Sequence, residues 1–307
     1  MSAKRILIYG TGAIGGLFGA LLSAKYPVTF FVRKPYAHLF LREGLIITGK
    51  TELRTTPKIC TELNTQLLDN CKYIFISVKS YDTLNVMNEI KNYLNEEHIL
   101  ISLQNGLGNT DIMVKKLREN GFKEPENHVL ACITSYGVTK EAPNRLYHTG
   151  IGETVIGSLS VSANIYAEEV QLYLQSCGID AKLTDNIIGF MWVKCAVNCA
   201  LNPLTALLRI KNGVVLERPE LLNIIKEITT EINLVASKMN IILPVPDIYS
   251  KIIEIAQQTR DNKSSMLQDI ENGRKTEIDF LNGAIVKYAE LVGVDVPVNR
   301  LLWRLLH

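Results

Sequence analysis

The sequence predicts an α/β doubly wound domain over residues 1–185, followed by an all-α domain over residues 186–307. Three observations carry this. Short β-branched runs alternate with helical stretches in the first half, a glycine-rich turn follows the first strand, and the strand signal stops after Asp185. Strands bounded by helices imply βαβ crossovers, and hence a mostly parallel sheet covered on both faces.

Taken in order, Arg5 to Gly10, Val28 to Val32, Tyr73 to Val78 and Ile99 to Leu103 read as strands. The segments 13–25, 81–95 and 109–120 have helical composition and spacing. From Val129 to Gly157 strands follow one another without long helices, and a last αβ unit spans Ala163 to Leu183. Beyond it, 186–201, 219–239, 248–260, 265–272 and 277–292 are helical by period. Breaks fall at Pro203, Gly213, Pro219, the Pro244-Val-Pro246 stretch, Gly273 and Gly293. Pro203 is expected to end or kink its helix, with Asn202 capping the next one. No linker rich in Ser, Gly or Pro separates the halves, so they are expected to pack closely and leave a cleft between them. No internal repeat is seen.

Composition narrows the class. At 307 residues, 47% hydrophobic and 21% charged, the chain has ordinary globular proportions, against a disordered, collagenous or multi-spanning protein. A formal charge of +2 supplies no global field for nucleic acid or an anionic membrane, so neither is an expected partner and any anion site must be local. The six cysteines form no C-x-x-C pair and have no histidine at metal-ligand spacing. Neither a metal site nor a redox dithiol is indicated, and a reducing cytoplasm is the expected compartment. The basic start, Met1-Ser-Ala-Lys-Arg, precedes an apolar stretch, but Gly10, Gly12, Gly15, Gly16 and Gly19 interrupt it and no A-x-A site closes it, against a signal peptide. Elsewhere no uncharged apolar run approaches the roughly 20 residues of a spanning helix.

Gly10-Thr11-Gly12-Ala13-Ile14-Gly15 follows the first strand and opens a helix, the context in which G-x-G-x-x-G reads as a dinucleotide-binding, Rossmann-like fingerprint. The first glycine permits the turn, the second lets a pyrophosphate approach the backbone, and the third allows close helix packing. About 20 residues on, an NAD enzyme usually places an acid for the ribose 2′-hydroxyl. Here the chain reads Phe31-Val32-Arg33-Lys34, with two cations suited to a 2′-phosphate, so NADP(H) is the expected cofactor. A solvated basic loop is the alternative.

Lys194, Asn198 and Asn202 recur at i, i+4 and i+8, which places them on one helical face within about 80°. Ala196, Val197, Ala200 and Leu201 make the helix apolar elsewhere. A lysine with two carboxamides suits ligand contact, and a wet surface stripe is the alternative reading. Ser265-Met-Leu-Gln268 and Thr276-Glu277-Ile278-Asp279 have capping-box form, so Ser264, Ser265 and Thr276 read first as helix starts. Ser265 also has access to the free N–H groups that bind a carboxylate. Glu277, in a first turn, is stabilised by the helix dipole, and only a partner across the cleft would make it catalytic.

Taken with Ser77-Val-Lys79-Ser80, Gln104-Asn105-Gly106, Lys194 to Thr205, Asn262 to Asp269 and Thr276 to Asp279, these residues resemble the ketopantoate reductase family from the glycine loop almost to the C-terminus. The resemblance implies NADPH-dependent reduction of 2-dehydropantoate to (R)-pantoate, a step towards pantothenate and coenzyme A. It implies Lys194 as the general acid and Glu277 as its acidic partner. It also places Lys79 and Asn105 near the nicotinamide and its ribose. Asn105, Asn198, Asn202, Asn262 and Ser265 form the implied substrate set, with Asn212 a weaker candidate. The segment Ala142-Pro143-Asn144-Arg145 lacks a Pro-Gly pair associated with many members, and Cys195 replaces a larger apolar residue. The alternatives are a reductase of another branched 2-oxo acid and a non-catalytic NADP(H)-binding sensor. A homodimer is compatible with either.

Overall fold

The runs Ile6–Tyr9, Tyr73–Ile76 and Ile99–Ser102 are buried residue after residue, as a sheet covered on two sides demands. The computed structural model describes residues 5–307, so the basic start at 1–4 lies outside it. Its first unit takes in the chain up to Gln104 and Asn109–Ile187. The elements are β1 (Arg5–Tyr9), α1 (Ala13–Ser23), β2 (Val28–Phe31), α2 (Ala37–Glu43), β3 (Leu45–Gly49), β4 (Leu53–Thr55), β5 (Lys58–Cys60), α3 (Thr65–Leu68), β6 (Cys71–Ile76), α4 (Thr83–Ile90), β7 (Ile99–Ser102) and α5 (Asn109–Glu119). They continue with β8 (Val129–Thr134), β9 (Gly137–Ala142), β10 (Arg145–Gly150), β11 (Thr154–Ser158), α6 (Asn164–Ser176) and β12 (Ala181–Leu183).

The larger sheet runs β12-β11-β8-β7-β6-β1-β2-β5. From β5 to β8 every pairing is parallel, in the order 3-2-1-4-5-6 of a doubly wound dinucleotide fold. The chain reverses sides between β1 and β6, so a crevice opens beyond their C-terminal ends, beside the glycine turn. At the far edge β11 runs antiparallel to β8 and pairs in parallel with β12.

A second sheet, β4-β3-β10-β9, adds to the expected architecture. It explains why α1 is apolar all round, since a helix packed on two faces has no polar side. Leu17 and Phe18 share a core with Ile6, Ile8 and Phe30 of the large sheet and with Leu45, Ile47 and Leu146 of the small one. A Cβ on Gly16 would stand 2.7 Å from Leu146 Cδ1. The Pro143–Asn144 segment that departs from the family pattern is the turn of this sheet's β9–β10 hairpin. Asn144 is buried there, and its Nδ2 donates to the Gly44 carbonyl at 2.8 Å.

The second unit holds Asn105–Gly108 and Ile188–His307. Its helices are α7 (Ile187–Leu208), α8 (Pro219–Lys238), α9 (Ile248–Gln258), α10 (Ser265–Glu271), α11 (Asn282–Val292) and α12 (Pro297–Leu306). Of the expected end or kink at Pro203 the end is corrected, because α7 runs through the proline and on to Leu208. At 22 residues, with a stretch of mean hydropathy 1.4, α7 is long and apolar enough to cross a membrane by length and composition, although Lys194 keeps it from being an uncharged run of the kind the sequence was expected to lack. Most of that apolar surface is buried inside this unit, where Trp192, Cys195, Ala196, Cys199 and Ala200 form the core with Ile225, Ile228 and Ile285.

The stretch 277–292 also differs. Ile278–Phe280 is a single 3-10 turn, and α11 starts only at Asn282. Glu277 therefore precedes a short turn instead of occupying the first turn of a long helix. On α10 the cap is Ser264, whose Oγ accepts from Leu267 N at 3.2 Å, and Ser265 is the first helical residue.

Candidate active site

In the first unit the glycine loop is built by close approach. Gly10 takes φ +112°, a left-handed conformation that favours glycine, and a Cβ there would lie 2.7 Å from Val78 N. A Cβ on Gly15 would lie 2.0 Å from Ser77 Oγ and 2.3 Å from the Gly10 carbonyl. Ser77 closes the turn by donating from Oγ to Gly10 O at 2.7 Å. Gly12 differs, since the nearest atom to its Cβ position is Ser77 O at 3.6 Å, an ordinary contact. The backbone at Gly12 is thus approachable where its neighbours are packed. With no side-chain cap and no acid in its first turn, the start of α1 suits a pyrophosphate. Lys140 on β9 braces the loop from the second sheet, with Nζ donating to Thr11 O at 2.9 Å.

Beyond β2, Arg33 is 74% exposed and its Nη2 contacts Asp82 Oδ2 at 3.3 Å, while Lys34 pairs with Glu62. Tyr9, at the end of β1, stacks on Phe31 at 4.3 Å and donates to Glu89 at 2.5 Å. Burial and the Glu89 carboxylate push its hydroxyl pKa well up, so it stays protonated. Lys79 is half-buried on the turn after β6. The turn is pinned by Gln104 Nε2, which donates to Val78 O at 3.0 Å and to Thr83 Oγ1 at 2.8 Å. Thr83 in turn donates to Asn109 Oδ1 at 2.7 Å.

The second unit supplies a pocket of about 200 Å³ lined by Asn105, Asn202, Ser265, Met266, Asp269, Glu277 and Leu281. Gly106, at φ +81°, lets Asn105 reach it, because a Cβ there would stand 2.4 Å from the Phe280 carbonyl. Leu107 N donates to that same carbonyl at 2.8 Å, which fixes the loop beside the 3-10 turn. Asn202 and Glu277 are both 7% exposed. Thr205 bridges α7 to α10 by donating to Ser264 Oγ at 2.7 Å, so Asn202 and Ser265 are held by one hydrogen-bonded joint. Asn198 and Lys194 continue the face of Asn202 one and two turns away, half-buried, about 6 and 12 Å along the axis.

Four of the expected residues, Asn105, Asn202, Ser265 and Glu277, thus meet in one pocket. Asn262 is exposed and does not line it; its backbone carbonyl accepts from Asn212 N at 3.0 Å. Asn212 is buried elsewhere, with Nδ2 donating to Thr259 Oγ1 at 2.9 Å. Residue-by-residue reading missed Met266, Asp269 and Leu281. The first two lie inside the Asn262 to Asp269 motif, and Asp269 is buried against Arg274 Nε at 3.0 Å.

The family description "Ketopantoate reductase PanE/ApbA" matches residues 6–160, and "Ketopantoate reductase PanE/ApbA C terminal" matches residues 186–307. A 2-dehydropantoate 2-reductase of Pyrococcus horikoshii is 36% identical over 98% of this chain and 96% of its own. One from Archaeoglobus fulgidus is 34% identical over 99% of this chain and 97% of its own. Among solved structures, the ternary structure of D-mandelate dehydrogenase with NADH and anilino(oxo)acetate superposes with TM-score 0.90 at 24% identity, over 99% of this chain and 97% of that one. A PanE/ApbA family ketopantoate reductase from Ralstonia eutropha does so with TM-score 0.86 at 25% identity, over 98% and 96%. A doubly wound domain with a dinucleotide turn, a helical unit with a polar pocket, and relatives matched along nearly their whole length lead to one assignment: the chain belongs to the ketopantoate reductase family, a family of oxidoreductases.

Proposed function

We propose that this protein reduces 2-dehydropantoate to (R)-pantoate with NADPH. The observation that carries the reading is the pocket that gathers Asn105, Asn202, Ser265 and Glu277 beside the polar face of α7. Two carboxamides and a hydroxyl supply donors for a 2-oxo acid, and a cation stands on the same helix face at Lys194. The curated relatives named 2-dehydropantoate 2-reductase support that acid as the substrate.

The approachable backbone at Gly12 and the tight packing at Gly10 and Gly15 fit a dinucleotide pyrophosphate. When bound, a nicotinamide dinucleotide supplies the hydride. Arg33 selects the phosphorylated form: Nη2 contacts Asp82 while the largely exposed guanidinium presents further N–H groups to a 2′-phosphate, and Lys34 adds charge. Lys79 and Asn105 hold the nicotinamide ribose region. Negative charge develops on the substrate carbonyl oxygen, and Lys194 Nζ both stabilises that charge and delivers the proton. Glu277 supports the lysine. Asn198, Asn202 and Ser265 orient the acid and its hydroxyl, with Asn262 as an outer member of the set.

The test is NADPH oxidation by purified protein with 2-dehydropantoate and a panel of other 2-oxo acids, repeated with NADH. Turnover selective for 2-dehydropantoate and NADPH is expected. Selective turnover of another oxo acid would overturn the substrate assignment, and tight NADPH binding without turnover of any acid would overturn the enzymatic one.

A further inference from the structure

A proline inside a helix leaves the carbonyl four residues earlier without its N–H partner, and its ring presses on that carbonyl. In α7 that proline is Pro203, and the carbonyl is that of Cys199, between Asn198 and Asn202. The break thus lies inside the turn that carries two of the proposed substrate-holding carboxamides. The helix nevertheless continues to Leu208. Asn282 is what meets the Cys199 carbonyl, with Nδ2 donating to it at 3.1 Å.

Asn282 is 0% exposed, and the donor is held by a relay through three helices. Its second N–H goes to Asn299 Oδ1 at 2.9 Å. Asn299, also 0% exposed, donates from Nδ2 to Glu231 Oε2 at 2.7 Å, and the Val298 and Asn299 backbone N–H groups bind the same carboxylate at 2.8 and 3.0 Å. Glu231 on α8 thereby caps α12 and fixes the Asn299 amide, which fixes Asn282 on α11. The orientation of Asn282 is unambiguous, because a flip would set its oxygen against two other oxygens. Its own Oδ1 is buried with no hydrogen-bond partner. A buried amide that leaves its acceptor unpaired is held for its two N–H groups.

We propose that Asn282 is a positioning residue for the reductase site. It supplies the N–H that Pro203 lacks, and so holds the α7 turn that aims Asn198 and Asn202 at the 2-oxo acid. It touches neither reactant nor cofactor in this role, and the proposal rests on the reading of that helix face given above.

The experiment is a double-mutant cycle of Asn282→Ala and Pro203→Ala, read by kcat and KM for 2-dehydropantoate, NADPH binding by fluorescence, and thermal unfolding. Asn282→Ala is expected to raise KM and lower kcat so that kcat/KM falls about tenfold to a hundredfold, the scale of a small misplacement, while NADPH affinity holds. Adding Pro203→Ala returns an N–H to Cys199 O, so the double variant is expected to recover most of the loss. Unchanged kcat and KM in Asn282→Ala, or losses that simply add in the double variant, would overturn the proposal. If Asn282→Ala alone does not fold, the comparison passes to Pro203→Ala with and without it. Equal activity and stability of that pair supports the proposal, and failure of the double variant to fold overturns it. Absence of turnover in the unmodified protein would sink the substrate reading instead, and non-additive unfolding temperatures at 203 and 282 would still report the hydrogen bond.

Discussion

Gly12 and Gly15 differ in the space around them, and alanine at each is expected to give opposite results. At Gly15 the added Cβ meets Ser77 Oγ at 2.0 Å and the Gly10 carbonyl at 2.3 Å. Ordinary contact begins near 3.4 Å, so the carbonyl must retreat by about 1 Å, and it is backbone tied to the β1 end through Ser77. Overpacking of this kind costs about 1–3 kcal/mol. For a chain of this size that lowers Tm by roughly 2–10 °C. At Gly12 the nearest atom is 3.6 Å away, so Gly12→Ala should unfold within about 1 °C of the parent without cofactor. Its methyl group instead occupies the space the pyrophosphate needs. Saturating NADPH at about 100 times Kd raises stability by about 2.7 kcal/mol, and Gly12→Ala should lose most of that increment. Differential scanning fluorimetry of the three proteins, with and without NADPH, measures both effects. Parent-like NADPH stabilisation in Gly12→Ala would refute the placement of the pyrophosphate, and an unshifted Tm in Gly15→Ala would refute the packing argument.

Lys194→Ala should leave NADPH binding intact and lower kcat by about 10² or more, and an unchanged kcat would remove Lys194 from proton transfer. Arg33→Asp should move cofactor preference towards NADH, since a carboxylate repels the 2′-phosphate and accepts from the ribose hydroxyl; an unchanged ratio of kcat/KM for the two cofactors would show that another group reads the phosphate. Burial raises the Glu169 pKa, but hydrogen bonds from Lys72, Tyr173 and Tyr73 at 2.7, 2.6 and 2.5 Å bring it down to about 2. A folded pKa below the unfolded one stabilises the protein above about pH 4.5 and is lost as pH falls from there to about 2. After screening of this half-exposed group the loss is about 1–2 kcal/mol, so urea midpoints should fall more steeply below pH 4.5 in the parent than in Glu169→Gln, and parallel slopes would exclude it.

The first unit was legible where one physical signal ruled. Apolar runs bounded by helical stretches placed β1, β2, β6 and β7, and the glycine spacing placed the turn at the sheet's reversal. The second sheet escaped because β4 has only three residues, too few for a period to show, and because β3 pairs with β10, a strand far away in the sequence. Its trace was the all-round apolarity of α1, which has no purpose against a single sheet. Helix α12 was also missed, although Pro297 at its start and the burial of Asn299 and Leu302 follow helical spacing. At the site, the polar stripe on α7 was readable from spacing, whereas the pocket was not. Asn105 reaches the pocket through a left-handed glycine and a backbone contact to Phe280, and neither leaves a periodic mark.

At Pro203 the helix continues where a stop was one of the two expected outcomes. The rule that proline ends a helix weighs local costs, a missing N–H and a crowded carbonyl. It fails here because tertiary structure meets the need. Asn282 serves the Cys199 carbonyl from α11, and just past the break Thr205 Oγ1 ties α7 to Ser264 Oγ on α10 at 2.7 Å. A helix repaired from outside takes its direction from the groups that repair it. That is a useful property in the element that carries Lys194, Asn198 and Asn202, since the face they share is then set by the packing of α8, α10, α11 and α12 rather than by α7 alone. A sequence reader meets Asn202-Pro203 as a stop signal. In the folded unit the same dipeptide is where the surrounding helices take hold of the site.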